Sequence, residues 1–62
     1  MKLLKITQCS DSLMWYNKHI GSLVAYINEE EDIYWSREPG GYKNIILKRD
    51  AEVVEVEDGK QV

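Results

Sequence analysis

Two runs rich in β-branched and aromatic residues, Ile33–Arg37 and Tyr42–Leu47, flank the tetrapeptide Glu38-Pro39-Gly40-Gly41. Proline presets one turn dihedral, and glycine accepts the positive φ that a tight reversal needs. The segment therefore reads as a β-hairpin with the positive φ at Gly40 or Gly41. That commits about a quarter of a 62-residue chain to antiparallel sheet. A chain this short forms one domain and buries only about 60% of the surface its unfolded form exposes. Small folds are often stapled by disulfides or a metal. Here Cys9 is the only cysteine and His19 the only histidine, so the chain holds neither a disulfide nor the Cys/His set of a structural zinc site. A single unpaired cysteine points to a reducing compartment or to an incidental thiol.

The rest of the chain falls into short pieces. Lys2–Thr7 reads as a first strand with Leu4 and Ile6 on one face. Residues 8–19 lose periodicity: Cys9-Ser10-Asp11-Ser12 is turn-forming, and Leu13-Met14-Trp15-Tyr16 and Asn17-Lys18-His19 follow. This is read as a long loop rather than a helix, although Asp11 is available to cap Ser12–Lys18; the segment is short and aromatic. Ile20–Asn28 is a second strand, apolar on both faces and therefore central. Glu29-Glu30-Glu31-Asp32 is a charged loop, Lys48–Ala51 a single 3₁₀ turn, and Glu52–Val56 the last strand. The domain covers residues 1–57, with 58–62 a flexible polar tail. In strand Ile33–Arg37, Ile33, Trp35 and Arg37 share one face and Tyr34 and Ser36 the other; alternation leaves either face open to burial, with Ile33 and Trp35 the more apolar pair and so favoured.

Five short strands with a long first loop, an acidic loop, a tight hairpin and a 3₁₀ turn before the last strand resemble the SH3-like small β-barrel. The resemblance spans residues 2–56 and is carried by Glu38-Pro39-Gly40-Gly41 and by Lys48–Ala51 ahead of Glu52-Val53-Val54. It implies an all-β, five-stranded barrel. The pattern Tyr34-Trp35-x-Arg37-Glu38-x-x-Gly41-Tyr42-x-Asn44-Ile45 is also similar to small phage- or prophage-encoded proteins of unassigned role. That likeness implies a mobile-element origin and supplies no activity. The chain departs from the peptide-binding SH3 family at both of its groove-building motifs. Leu4-Lys5-Ile6-Thr7 stands where Ala-Leu-Tyr-Asp-Tyr is expected, and Leu47-Lys48-Arg49-Asp50 where Pro-Ser-Asn-Tyr is expected. No polyproline-groove residue carries over.

Net charge is −3, divided into +2 over residues 1–28 and −5 over residues 29–62. An acidic chain disfavours non-specific nucleic-acid binding, which depends on Lys and Arg neutralising phosphates. The apolar start is broken by Lys5, and no apolar stretch approaches the roughly 20 residues of a membrane span. The expectation is a cytoplasmic protein (host cytoplasm if phage-encoded) with no membrane contact. Glu29–Asp32 lack EF-hand spacing and a turn glycine, so they read as a solvated loop rather than a cation site; Glu52, Glu55, Glu57 and Asp58 read the same way. Cys9 and His19, with Ser10, Asp11 or Ser12 to orient them, have the residue types of a thiol nucleophile. They lie in one loop of a domain too small to exclude water, and no enzyme, metal or cofactor is expected.

Aromatic residues carry the functional expectation. Six of them exceed what a small barrel buries, and surface Trp and Tyr suit contact with a partner protein. The candidate patch is Trp15, Tyr16, Tyr34, Trp35 and Tyr42. Tyr16 and Tyr42 are expected to be its more exposed members, and Trp15 either joins the patch or plugs a barrel end. The alternative is a nucleic-acid surface made by Arg37, Lys43, Lys48 and Arg49 beside Tyr42. Composition thus points to a non-enzymatic protein-binding module, monomeric or weakly self-associating, with an unidentified protein partner.

Overall fold

A computed structural model describes residues 1–57; the expected tail at 58–62 lies outside the described residues. The fold is all-β: six strands in two three-stranded antiparallel sheets, with two 3₁₀ turns. Strands β1 (Lys2–Ile6), β2 (Leu23–Ala25) and β6 (Ala51–Glu55) form one sheet in the order β2-β1-β6. Strands β3 (Asn28–Glu29), β4 (Ile33–Arg37) and β5 (Lys43–Leu47) form the other in the order β3-β4-β5. The 3₁₀ turns are Trp15–Lys18, inside the first loop, and Lys48–Asp50, between β5 and β6.

Six strands replace the expected five because Ile20–Asn28 is not one element. Gly21 takes φ +90° in a reversal closed by Ser22 N–H donating to the His19 carbonyl at 3.0 Å, so the strand starts only at Leu23. The segment then serves both sheets: Val24 pairs with Leu4, while Asn28 pairs with Trp35 across the other sheet. A stretch that passes between two layers needs apolar residues on both faces, which accounts for the absence of alternation. The two sheets do not join into one closed ladder.

The hairpin forms with the expected turn. Gly41 N–H donates to the Glu38 carbonyl at 2.8 Å, Glu38 N–H donates to the Tyr42 carbonyl at 2.8 Å, and Gly41 alone of the turn glycines has positive φ, +96°. Pro39 sits at the second turn position, where its fixed φ belongs, and a left-handed residue directly after the turn restores the strand twist. The Arg37 guanidinium closes the turn through Nη1 to the Gly41 carbonyl, 2.9 Å.

The fully enclosed core is small: Leu4 and Ile6 from β1, Tyr16 from the first loop, Ile46 from β5 and Ala51 at the start of β6. Cys9, Met14, Trp15, Val24, Tyr26 and Tyr34 pack around it. Of the two faces that alternation left open in Ile33–Arg37, the structure buries the one that was not favoured. Tyr34 lies on the core side, opposite Ile46, and Ser36 is fully buried, whereas Trp35 pairs with Ile45 on the outer face. Apolarity alone favoured Ile33 and Trp35, but a sheet this narrow must place the residue opposite Ile46 inside.

Candidate functional site

One carboxylate binds the long first loop to the rest of the fold. Asp50 is completely buried at the end of the second 3₁₀ turn. Its Oδ2 accepts from Ser10 N–H at 3.2 Å, from Ser10 Oγ at 3.0 Å and from the Tyr16 hydroxyl at 2.5 Å. Arg49 Nε donates to Ser10 Oγ at 3.1 Å, and Gln8 Nε2 donates to the Arg49 carbonyl at 2.8 Å. Burial pushes the Asp50 carboxyl up, but the donors on Tyr16 and Ser10 and the Arg49 charge outweigh it, and the group ends below the usual carboxylate range. Burial, and then the bond to Asp50, hold the Tyr16 phenol well above the ordinary tyrosine value. Within the loop, Asp11 Oδ1 accepts from Leu13 N–H at 3.0 Å and the Asp11 carbonyl accepts from Met14 N–H at 2.9 Å. Asp11 thus organises the entry to the Trp15–Lys18 turn.

The loop then finishes the edge of the second sheet with side chains. The β4–β5 hydrogen bonds fall on Tyr42, Asn44, Ile46 and Lys48, as Glu38 N–H to Tyr42 and Lys48 N–H to Asp32 (3.1 Å) show, so residues 43, 45 and 47 point their backbone groups outward. Trp15 Nε1 donates to the Ile45 carbonyl at 2.9 Å, Asn44 Oδ1 accepts from Ile45 N–H at 2.8 Å, and the Tyr16 hydroxyl accepts from Leu47 N–H at 3.3 Å. An uncovered strand edge invites pairing with other chains, and here two aromatics and an amide occupy it. This corrects the expectation for Tyr16, which is 0% exposed rather than a surface anchor. Trp15 is half-buried against the core and meets Tyr16 edge-on at 5.6 Å between ring centroids. Tyr34 is likewise turned to the core side, 6.2 Å from Tyr26. Of the five candidate aromatics, Trp35 and Tyr42 remain on the outside.

Trp35 belongs to the outer face of the β4–β5 hairpin, whereas Tyr42 alternates onto the Ile46 side, beyond Asn44 at the turn. Ile33 stands opposite Leu47, Trp35 opposite Ile45 and Arg37 opposite Lys43. Paired residues share a face, so two apolar cross-strand pairs and a basic pair run in file along it. None of Ile33, Trp35, Ile45 or Leu47 is among the residues packed on the enclosed core. The Trp35 indole is fixed by Nε1 donating to Glu30 Oε2 at 2.8 Å and by Lys43 Nζ 5.9 Å from its ring centroid. Tyr42, 74% exposed, stands at the turn of the same hairpin with its ring against Gly40. Ile33, Ile45 and Leu47 were not among the expected site residues; the signal for them was the strict alternation of β5 once Ile46 is placed inside.

The basic candidates are divided and engaged. Arg37 and Lys43 lie at the turn end of the hairpin, Lys48 and Arg49 at its other end. Lys48 Nζ binds Glu29 Oε2 at 2.8 Å and lies 5.4 Å from the Tyr34 ring centroid; Tyr26 donates its hydroxyl to Glu29 Oε1 at 2.9 Å. The Lys48 bond, followed by the Tyr26 bond, lowers the Glu29 carboxyl below its ordinary value, and Glu29 in turn raises both partners. The acidic segment is therefore partly structural: Glu29 is paired, Glu30 orients Trp35, and Glu31 and Asp32 line a cleft of about 330 Å³ with Leu47, Lys48 and Arg49. Among the described residues no three His, Cys, Asp or Glu side chains converge as metal ligands. Cys9 Sγ donates to the Asp11 carbonyl at 3.0 Å, while His19 lies beside Trp15, 6.1 Å between rings. No hydrogen bond joins the Cys9 and His19 side chains. Among the described residues no helix is long and apolar enough to cross a membrane. Comparisons with protein-family models, with curated proteins and with solved structures found no match.

Proposed function

We propose that this chain is a non-enzymatic protein-binding module built as an SH3-like barrel. The fold reading is supported by the sharing of one segment, β2 and β3, between the two sheets, and by the 3₁₀ turn that leads into the last strand. The functional reading rests on the outer face of the β4–β5 hairpin. There, two apolar pairs lie in file, one of them containing an indole already held in one orientation, and an exposed tyrosine stands at the turn of the same hairpin. Interface anchors are typically aromatic, and an anchor fixed before contact loses less conformational freedom on binding.

The test pairs Tyr42→Ala and Trp35→Ala, each examined by thermal melting and by affinity capture from lysate of the source cells followed by mass spectrometry. Anchor truncations of this kind cost about 2 kcal/mol or more of binding. The expected result is a retained cooperative melt with loss of proteins that the unchanged chain captures. Identical capture by both variants, or collapse of both melts, removes the reading. The nucleic-acid alternative is tested alongside by anisotropy with a single-stranded oligonucleotide. Binding no tighter than about 10⁻⁵ M at physiological salt is expected, the range of non-specific association. Much tighter binding with a steep salt dependence would put that alternative first.

A further inference from the structure

We propose that the outer edge of β6 is a strand-addition site for an extended, basic segment of a partner protein. The hydrogen-bond phase of the first sheet carries the argument. Val56 N–H donates to the Met1 carbonyl at 2.8 Å, and Thr7 N–H donates to the Asp50 carbonyl at 2.8 Å. With the register of Leu3 opposite Val54 and Lys5 opposite Glu52, residues 50, 52, 54 and 56 spend their backbone groups on β1. In an antiparallel ladder the intervening residues point the other way, so Ala51, Val53 and Glu55 face outward. Ala51 N–H is taken by the Lys48 carbonyl. Among the described residues no strand pairs with this side of β6, and Val53, 38% exposed, sits at its centre.

The other edges are handled differently. The β5 edge is closed by Trp15, Asn44 and Tyr16. The edges of β2 and β3 are only three and two residues long, and short edges are a recognised protection against pairing. The five-residue β6 is thus the longest edge without such a cover. Its side chains state the partner's chemistry. Glu52, Glu55 and Glu57 are all exposed along it; among the described residues the one cation in an ion pair with them is the amino terminus, 3.3 Å from Glu55, while Lys5 and Lys2 stand across the strand pair from Glu52 and Glu55. A second copy of β6 would add its own exposed carboxylates to an edge that already carries three, and the added negative charge opposes that pairing. An extended segment alternating basic and β-branched residues matches the open backbone groups and, with its basic residues on one face, Glu55 and Glu57, which share a face by alternation; this is the mode of β-augmentation.

The probe is a short synthetic peptide alternating lysine and valine, compared with the same peptide N-methylated at alternate residues and with a glutamate–valine analogue. Amide hydrogen exchange of the whole chain is followed residue by residue. Without peptide, the Val53 and Glu55 amides should exchange freely while those of Val54 and Val56 are protected. Lysine–valine peptide should slow the Val53 and Glu55 amides about tenfold or more, as an added opening free energy does, and the N-methylated and acidic peptides should not. Val53→Pro removes an outward N–H where an edge strand tolerates proline, and should lose the peptide while keeping its melt. Glu55→Lys with Glu57→Lys should reverse the preference toward the acidic peptide. Equal binding of the N-methylated peptide, unchanged binding by folded Val53→Pro, or protection confined to the hairpin overturns the proposal. So does concentration-dependent protection of Val53 without peptide, which would assign the edge to a second copy. If Val53→Pro does not fold, the N-methylated comparison on the unchanged chain decides.

Discussion

Replacing Tyr16 by Phe keeps the ring in the core and deletes one oxygen that the structure uses twice, as donor to buried Asp50 Oδ2 and as acceptor from Leu47 N–H. A hydrogen bond to a charged group contributes about 1.5–3 kcal/mol, and stranding a buried partner adds a further desolvation cost. Asp50 retains both Ser10 donors, so its loss is partial, and the sum expected is about 2–3 kcal/mol. A domain of this size has a total stability of only about 3–9 kcal/mol, and each kcal/mol moves Tm by about 4–8 °C. The variant should therefore melt at least 8 °C lower by the smallest of these estimates. Urea denaturation followed by tryptophan fluorescence suits the measurement, because Trp15 packs edge-on against Tyr16. The deficit should also depend on Asp50. The carboxyl is depressed in the folded state, so its stabilisation is present above the unfolded pKa and is lost as pH falls through the folded value. Tyr16→Phe removes part of that depression, so the gap between the two proteins should narrow in acid, and should shrink in an Asp50→Asn background by a coupling of about 1 kcal/mol or more. A Tyr16→Phe protein within about 0.5 kcal/mol of the parent, the range of changes at featureless surface positions, would refute the reasoning.

Four further outcomes follow from the same geometry. Gly41→Ala should cost about 1–2 kcal/mol because φ +96° forces the side chain against the backbone, while Gly40→Ala should be nearly silent, since its new methyl meets only the Tyr42 ring at 3.5 Å; paired urea melts test the contrast. Ser36→Ala should be neutral or stabilising by about 1 kcal/mol, because the Ser36 hydroxyl is buried with no partner among the described residues; a clear loss in the same melt contradicts this. Trp15→Phe removes the donor to the Ile45 carbonyl and should cost about 1 kcal/mol while opening the β5 edge, seen as concentration-dependent association by light scattering. At alkaline pH the raised Tyr16 phenol gives stability that is whole below the unfolded tyrosine value of about 10 and is lost as pH rises toward the folded value. Ultraviolet titration should therefore show Tyr16 ionising only with unfolding.

Much of the secondary structure was legible because its causes are local. Pro39 and Gly41 define a turn by their own dihedral limits, and Ile33–Arg37 and Lys43–Leu47 are runs that fit a pleated surface; the 3₁₀ turn at Lys48–Asp50 and the first strand were read within a residue or two. What alternation could not decide was orientation. Ile33 with Trp35 and Tyr34 with Ser36 are both credible inner faces, and only the pairing of Tyr34 with Ile46, itself packed on Leu4 and Ile6, chooses between them. The aromatic patch failed as a unit for the same reason. Tyr16 is inside because Asp50, 34 residues away, lies inside to accept its hydrogen bond, and no pattern around Tyr16 or Asp50 announces a carboxylate that gathers donors from a distant loop. Local chemistry thus determined where the chain turns and where it extends. Contacts distant in sequence decided which side of each strand meets water, because burial is a property of what arrives opposite a residue rather than of the residue.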